Sequence, residues 1–455
     1  MSVCQRAASL FNSYYYPSAV ALTVFICHTF GLDIIGCCIL LLFTLLGCLF
    51  ATDFRFTIPT FLCFICLVSV HNSPTFNEGE TVYQSKGFVV FFIIFLLLLL
   101  LGLGYFFFRM RRKANPIAFK GQLPPLAAFS LMLILNGLFT GGSILPNLLF
   151  GLVLAASFVG FYLLNAAFLP RTEDVRRYFF FTMLVTALMI VGQLLVAYAT
   201  TVRFDDNLDP IKESIILGWG AWTNIGAYLT LLLPAPFYFA ATDEKKPTLW
   251  FCLGCLVFGG IVLSGSRASL GFGAVVFLFC LLLLVYKSAN KRQNRLCVLV
   301  FCLLCLIFCF LFRETLFRFF TLYWKYGFSD NGRFVLWERA FDAFKEAPVF
   351  GVGFYDIGLH VEWVGELSLF PPTSHNTILH LLSATGILGL GAYLWHRVKT
   401  VQLLWQSRKN TASLFLFISM FALILCSFVD EHLFHIYPAF CYIYALYLSE
   451  PSKTL

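Results

Sequence analysis

Charge is what this chain has least of. Only 12% of its 455 residues are Asp, Glu, Lys or Arg, against about 25% in an ordinary soluble protein. Hydrophobic residues make up 60%, and mean hydropathy is +0.85. A water-soluble domain is therefore excluded. No P-loop and no Rossmann glycine fingerprint occurs, so no nucleotide-binding loop is written into the sequence. Internal repeats and low-complexity linkers are missing as well. The first apolar run lacks a small-residue cleavage site after it and is expected to remain as a membrane span.

Cysteine is plentiful, at sixteen, yet it carries little chemistry. Cys-x-x-Cys occurs at Cys63/Cys66, Cys252/Cys255 and Cys302/Cys305, each inside an apolar run without a His or carboxylate in the same stretch. These read as small hydrophobes in helices. The longest loop, 313–376, has no cysteine at all, which leaves it no disulfide frame.

What is present is a succession of apolar runs of about 17–25 residues, the length that crosses hydrocarbon as a helix. Fourteen spans are predicted, at 17–31, 32–50, 56–71, 87–108, 124–141, 144–168, 179–200, 219–241, 248–264, 268–286, 296–312, 377–395, 411–429 and 433–449. The fold class is an all-α polytopic membrane protein of about 12–14 transmembrane helices, forming one integral-membrane domain over 1–455. Placing the N-terminus in the cytoplasm puts 21 of the 31 Lys and Arg inside. Six of the other ten lie in the long outer loop, which the positive-inside rule discounts. Both termini are thus expected in the cytoplasm. The formal charge of +8 is spread over short clusters such as RMRRK (109–113) and RTEDVRR (171–177), so it implies cytoplasmic loops and not a nucleic-acid groove.

The outer loop 313–376 is too short and too aromatic to fold alone and is expected to lie on the membrane as amphipathic helices. SDNGRFVLWERAFDAFKEAP (329–348) predicts one of them, with Asp330 or Asn331 as N-cap and Pro348 as stop. Trp337, Phe341 and Phe344 share a face with Phe334 and Ala340. Arg333 falls in the first turn, where the dipole disfavours a cation but free N–H groups favour an anion. An anionic ligand there would reconcile the two; an Arg reaching to water or lipid phosphate is the alternative.

Four stretches carry a resemblance. TNIGAYLTLLLP (223–234), LSGSRASLG (263–271), NGRFVLWERAFDAFKEAPVFGVGF (331–354) and SHNTILHLLSATGILGLG (374–391) together resemble the O-antigen ligase and polymerase superfamily of bacterial membrane glycosyltransferases. Residues 219–395 form the core that matches, and the N-terminal half matches only as a series of spans. The resemblance implies a GT-C-like fold in the bacterial plasma membrane. It also implies transfer of a glycan from an undecaprenyl-diphosphate carrier to a glycan, lipid or protein hydroxyl on the outer face.

A lipid-diphosphate donor needs cations at headgroup depth. Arg267, in a hairpin of a few residues, and Arg333 are the expected diphosphate ligands, since a guanidinium can fork onto phosphate oxygens. Arg203 is a weaker third. His375 is the expected general base, because only His has an unperturbed pKa near neutrality. Asn376 would orient that ring or bind sugar hydroxyls. Trp337, Gly351 and Gly353 are placed on the substrate side, although the two glycines most simply permit a tight turn. Direct displacement would invert the anomeric carbon. With arginines doing the work of a metal, no cation and no cofactor is expected.

Three other signals compete. DEHLFH (430–435) offers Asp430, Glu431, His432 and His435, and reads as a solvated turn or a polar wall near the site more readily than as a zinc site. FDDN (204–207) resembles an Asp-rich metal motif but reads as a solvated loop. A lipid-linked oligosaccharide flippase would instead place ionisable groups at mid-bilayer and show two similar halves. A relative of the peptidoglycan polymerases would rely on an outer-loop acid, Asp330 or Glu338.

Overall fold

The computed structural model describes residues 3–68, 86–139, 142–200, 216–314, 317, 332–360 and 374–451. Helices dominate them because, in lipid, each segment must satisfy its own backbone N–H and C=O groups. The order begins with α1 (Val3–Phe11), α2 (Tyr15–Thr29), α3 (Asp33–Phe50), α4 (Thr57–Cys63), α5 (Ile65–Val68) and α6 (Lys86–Met110). Next come α7 (Leu123–Leu135), α8 (Ile144–Ala155) and α9 (Phe161–Phe168), the last two joined through a π-turn into one span, and then α10 (Glu173–Thr200). A two-residue antiparallel ladder, β1 (Ile216–Leu217) with β2 (Gly220–Ala221), precedes α11 (Trp222–Leu232) and α12 (Pro234–Thr242). Pro234 cannot donate to the turn before it, which divides that span. The chain continues with α13 (Pro247–Leu263), α14 (Arg267–Lys287) and α15 (Lys291–Leu311). It ends with α16 (Arg333–Glu346), α17 (Asp356–His360), α18 (Thr377–Ser407), α19 (Thr411–Cys426) and α20 (Ile436–Ser449).

Eight helical stretches among the described residues are long and apolar enough to cross a membrane, with five shorter apolar helices beside them. Every span expected from the sequence meets one of these or α2. This is an all-α polytopic membrane protein. The α11–α12 stretch is 94% buried and lies at the centre, whereas α15 is 6% buried and turns Leu303, Leu304, Ile307 and Phe310 outward. Lipid tails are as apolar as leucine, so such a helix needs no further cover. Cys63 and Cys66 sit buried against Thr186 and Gln193 of α10, as small core residues do.

The bundle has two chemically distinct ends. At one, Arg55 pairs with Asp53 and Asp174, Arg171 with Glu450, and Arg176 donates to the Leu448 carbonyl. The starts of α14 and α18 and the turn from α19 to α20 share the other end. Two sequence boundaries move. The α18 helix runs twelve residues past 395, so HRVK (396–399) is helical, and α10 opens at Glu173, inside the RTEDVRR cluster.

The α16 helix differs from expectation in its start and its faces. Gly332, left-handed at φ +77°, is its N-cap, without a side-chain hydrogen bond; Asp330 and Asn331 lie outside the described residues. Leu336, Ala340 and Ala343 are the buried face, against α18. Ala340 therefore belongs to the protein side, while Phe334 and Phe341 are exposed. Small residues let the two backbones approach; the aromatic face turns the other way.

A backbone splice ties these two helices together. Gly386 breaks α18 with φ +65° and ψ −167°. The carbonyls of Ser383 and Ala384 accept from Val352 N (2.9 Å) and Gly353 N (3.0 Å), while Ile387 N and Leu388 N donate to Pro348 O (2.9 Å) and Val349 O (3.4 Å). A Cβ on Gly386 would overlap the Val349 carbonyl, and one on Gly351 (φ +72°) would overlap the Ala384 carbonyl. Gly386→Ala therefore combines a left-handed residue with a backbone clash, each costing on the order of 1–3 kcal/mol. The expected result is a clear fall in thermal midpoint and folded yield in detergent, checked by size-exclusion melting; an unchanged midpoint would contradict the splice.

Candidate functional site

Three helix starts and one interhelical turn build the site. Ser266 caps α14 through its Oγ, which accepts from Ser269 N at 3.3 Å, so Arg267 is the first residue of that helix. Gly332 turns the chain so that Arg333 opens α16. Asn376 caps α18, its Oδ1 accepting from Ile378 N (3.0 Å) and Leu379 N (3.1 Å). The end of α19 then delivers Asp430, Glu431 and His432 beside the start of α18.

His375 sits in the left-handed region at φ +50°, the one such non-glycine among the described residues. That conformation is costly unless its surroundings hold it, and here they do. Glu431 Oε1 accepts from Ser374 Oγ (2.9 Å) and from Asn376 N (3.1 Å). Asn376 Nδ2 donates to the Phe428 carbonyl (3.1 Å), and Thr377 N to the Ser427 carbonyl (3.0 Å). Asn376 is thus committed to capping and anchoring, and it is Asp430 that orients the ring. His375 Nδ1 lies 3.2 Å from Asp430 Oδ1. With Nδ1–H donated to the carboxylate, Nε2 is left as the proton acceptor.

The 430–432 turn is a polar wall and not a solvated loop. Glu431 and His432 are each 2% exposed and Asp430 9%. Burial alone would raise the Asp430 carboxyl, but His432, His375 and His435 around it hold it well below the usual carboxylate range. The hydrogen bond to Asp430 raises the half-buried His375, opposed by partial desolvation and by Arg333. Burial lowers His432 to about 4, against the pull of Asp430. Neighbouring groups thus carry different proton affinities, the arrangement acid–base sites use. His380 faces another side, under the turn, with Nδ1 3.6 Å from Glu431 and its ring between Phe354 and Phe434.

A small, open recess lies beside this wall. Its polar lining is Thr223, Ser266, Ser269, Arg333, Asp430 and His432; Ala268, Phe272 and Val429 supply apolar surface. Arg333 and the His375 partner Asp430 therefore share one cavity. Arg267 is half-buried between two lining residues, Ser266 and Ala268. Trp337 stands one turn along α16, edge-on to Phe334, its buried Nε1 without an acceptor among the described residues. Gly351 and Gly353 are buried in the splice and lie outside the lining, while Arg203 lies outside the described residues. Ligand atoms of His375, Asp430 and Glu431 fall within 4.8 Å of one another, close enough for a divalent ion to bridge.

Residues 252–394 match the O-antigen ligase family. Over that stretch the chain is similar to O-antigen ligases. No curated protein matches the chain significantly. The O-antigen ligase match takes in Arg267, Arg333, Trp337, Gly351, Gly353, His375 and Asn376, and stops before the acidic wall. Asp430 and Glu431 are the site residues that the sequence alone undervalues. The available signal is two adjacent acids at a short turn in a chain with almost no charge to spare.

Proposed function

We propose that this protein transfers a glycan from an undecaprenyl-diphosphate carrier to an acceptor hydroxyl on the outer face of the bacterial plasma membrane, as a ligase. The observation that carries the reading is the His375–Asp430 pair standing beside a recess that also holds Arg333. In the step, the acceptor hydroxyl gives its proton to His375 Nε2 as its oxygen bonds to the anomeric carbon. The bond from that carbon to the diphosphate oxygen breaks on the opposite face, so configuration inverts and undecaprenyl diphosphate leaves. Asp430 holds the ring and stabilises the imidazolium, as the acid of a hydrolase triad does. Arg333, with Arg267 and Arg203 as further donors, stabilises the charge that grows on the diphosphate. A polymerase of the same superfamily would use the same centre with a carrier-linked chain as acceptor.

The step runs without a metal in this reading. One imidazole and two carboxylates would suit a divalent ion, but one oxygen of each carboxylate is already committed to hydrogen bonds. Glu431 Oε1 takes two hydrogen bonds, and Asp430 Oδ1 takes the Glu431 amide (2.9 Å) besides His375. The test is transfer in detergent from a purified undecaprenyl-diphosphate glycan to candidate acceptors. Transfer at an unchanged rate in EDTA is expected, with the opposite anomer in the product. Loss of transfer in EDTA, restored by a divalent ion, would defeat the metal-free step; a retained anomer would defeat the single displacement.

A further inference from the structure

Among the described residues, no side-chain hydrogen bond joins Arg333 to the His375 turn. Arg333 opens one end of α16, and the other end runs into the splice with α18 through Gly351 N, which donates to Ala347 O (2.9 Å). The splice in turn is held by Asn136, just past the end of α7, and Asn147 of α8. Asn136 Oδ1 accepts from Phe354 N (2.7 Å), and Asn147 Oδ1 accepts from Tyr355 N (2.8 Å) and Asp356 N (3.4 Å). Asn147 Nδ2 donates to Asp356 Oδ2 (2.8 Å), which also accepts from Ser143 N (2.7 Å). Asn136 and Asn147 are fully buried, and Asp356 is 5% exposed. None of the three lines the recess. Burying polar groups is costly unless each finds a partner; here the two asparagines accept from the backbone of 354–356, and Asp356 accepts from Asn147 and Ser143.

We infer that Asn147 is a positioning residue: its clasp on residues 354–356 sets the splice, and through it the placement of Arg333 against His375. The inference rests on the transferase reading above. A 14-residue helix is a lever of about 20 Å, so a pivot of about 5° at the splice carries Arg333 nearly 2 Å. Misplacement of about 1 Å can cost about a hundredfold in rate.

Three variants test it: Asn147→Asp, Asp356→Asn and the two together. Asn147→Asp sets one carboxylate against another and is expected to lower kcat with the undecaprenyl-diphosphate glycan about tenfold or more, with KM changed less. The pH dependence of kcat, set by His375 and Asp430, should not move. The double variant reverses donor and acceptor: the carboxylate now at position 147 accepts from the side-chain amide now at position 356, whose own oxygen can accept from Ser143 N. It is expected to restore kcat to within about threefold. Hydrogen exchange supplies a readout independent of transfer. Amides of 351–358 and 387–388 should exchange about tenfold faster in Asn147→Asp, with α10 and α11 unchanged. Wild-type kcat and exchange in a folded Asn147→Asp, or no rescue by the double variant, would overturn the inference. A wild-type protein with no transfer at all would instead sink the transferase reading, and the exchange result would still decide the clasp.

Discussion

His375→Ala is expected to lower transfer by about 10²–10⁴-fold, the usual worth of a positioned general base, with donor KM changed little. Asp430→Asn should fall nearly as far, because the amide no longer fixes the imidazole tautomer or stabilises its charged form. The two variants separate in their pH behaviour. His375 must be neutral to accept a proton, so activity rises with pH through its pKa, which the Asp430 hydrogen bond holds above the ordinary histidine value. Removing that acceptor lowers the pKa, and the acid limb of the Asp430→Asn profile should move to lower pH. In the double variant the loss should equal that of His375→Ala alone, since Asp430 acts through the ring. Near wild-type turnover in His375→Ala would remove the proposed base. An acid limb in Asp430→Asn that stays in place would show that the limb belongs to another group.

Arg333→Ala is the second large effect. Loss of a preplaced charge facing a developing anion costs about 10²–10³-fold in turnover. The loss should be seen in kcat more than in KM if the cation meets more charge in the transition state than in the bound donor. Arg333→Lys should recover only part of it, because an ammonium is a point charge where the guanidinium forks onto two oxygens. The comparison decides between a ligand of the donor and an arginine reaching to lipid phosphate. In the second case both variants would stay within about threefold of wild type. The same pair of substitutions at Arg267 ranks the two arginines. Arg333 lines the recess and Arg267 lies between two lining residues, so the larger loss is expected at Arg333.

Much of the site is legible in the sequence because its motifs are local. Arg267 follows a Gly-Ser turn, Arg333 follows a glycine that starts a helix, and His375 precedes a capping Asn, each readable within a few residues. The roles of Gly351 and Gly353 are half legible. A turn is expected there and found, but its purpose, to bring backbone onto the broken middle of α18, needs a helix more than thirty residues away. Adjacency in sequence suggests Asn376 as the partner of the ring, whereas the residue that holds the ring is 55 positions distant. DEHLFH reads equally as a solvated turn or a polar wall, since charge at a span end has the same look in either case.

By itself, then, the sequence determined the spans and their order. Each helix in lipid must satisfy its own backbone, so its existence depends on little beyond its own stretch of about twenty residues. Tertiary structure alone decided that Asp430 and Glu431 are buried against His375, that Arg333 opens on the same recess, and that Asn147 clasps the splice behind them. Those facts concern the relative placement of helix ends. Packing between helices sets that placement, and no local pattern of residues records it.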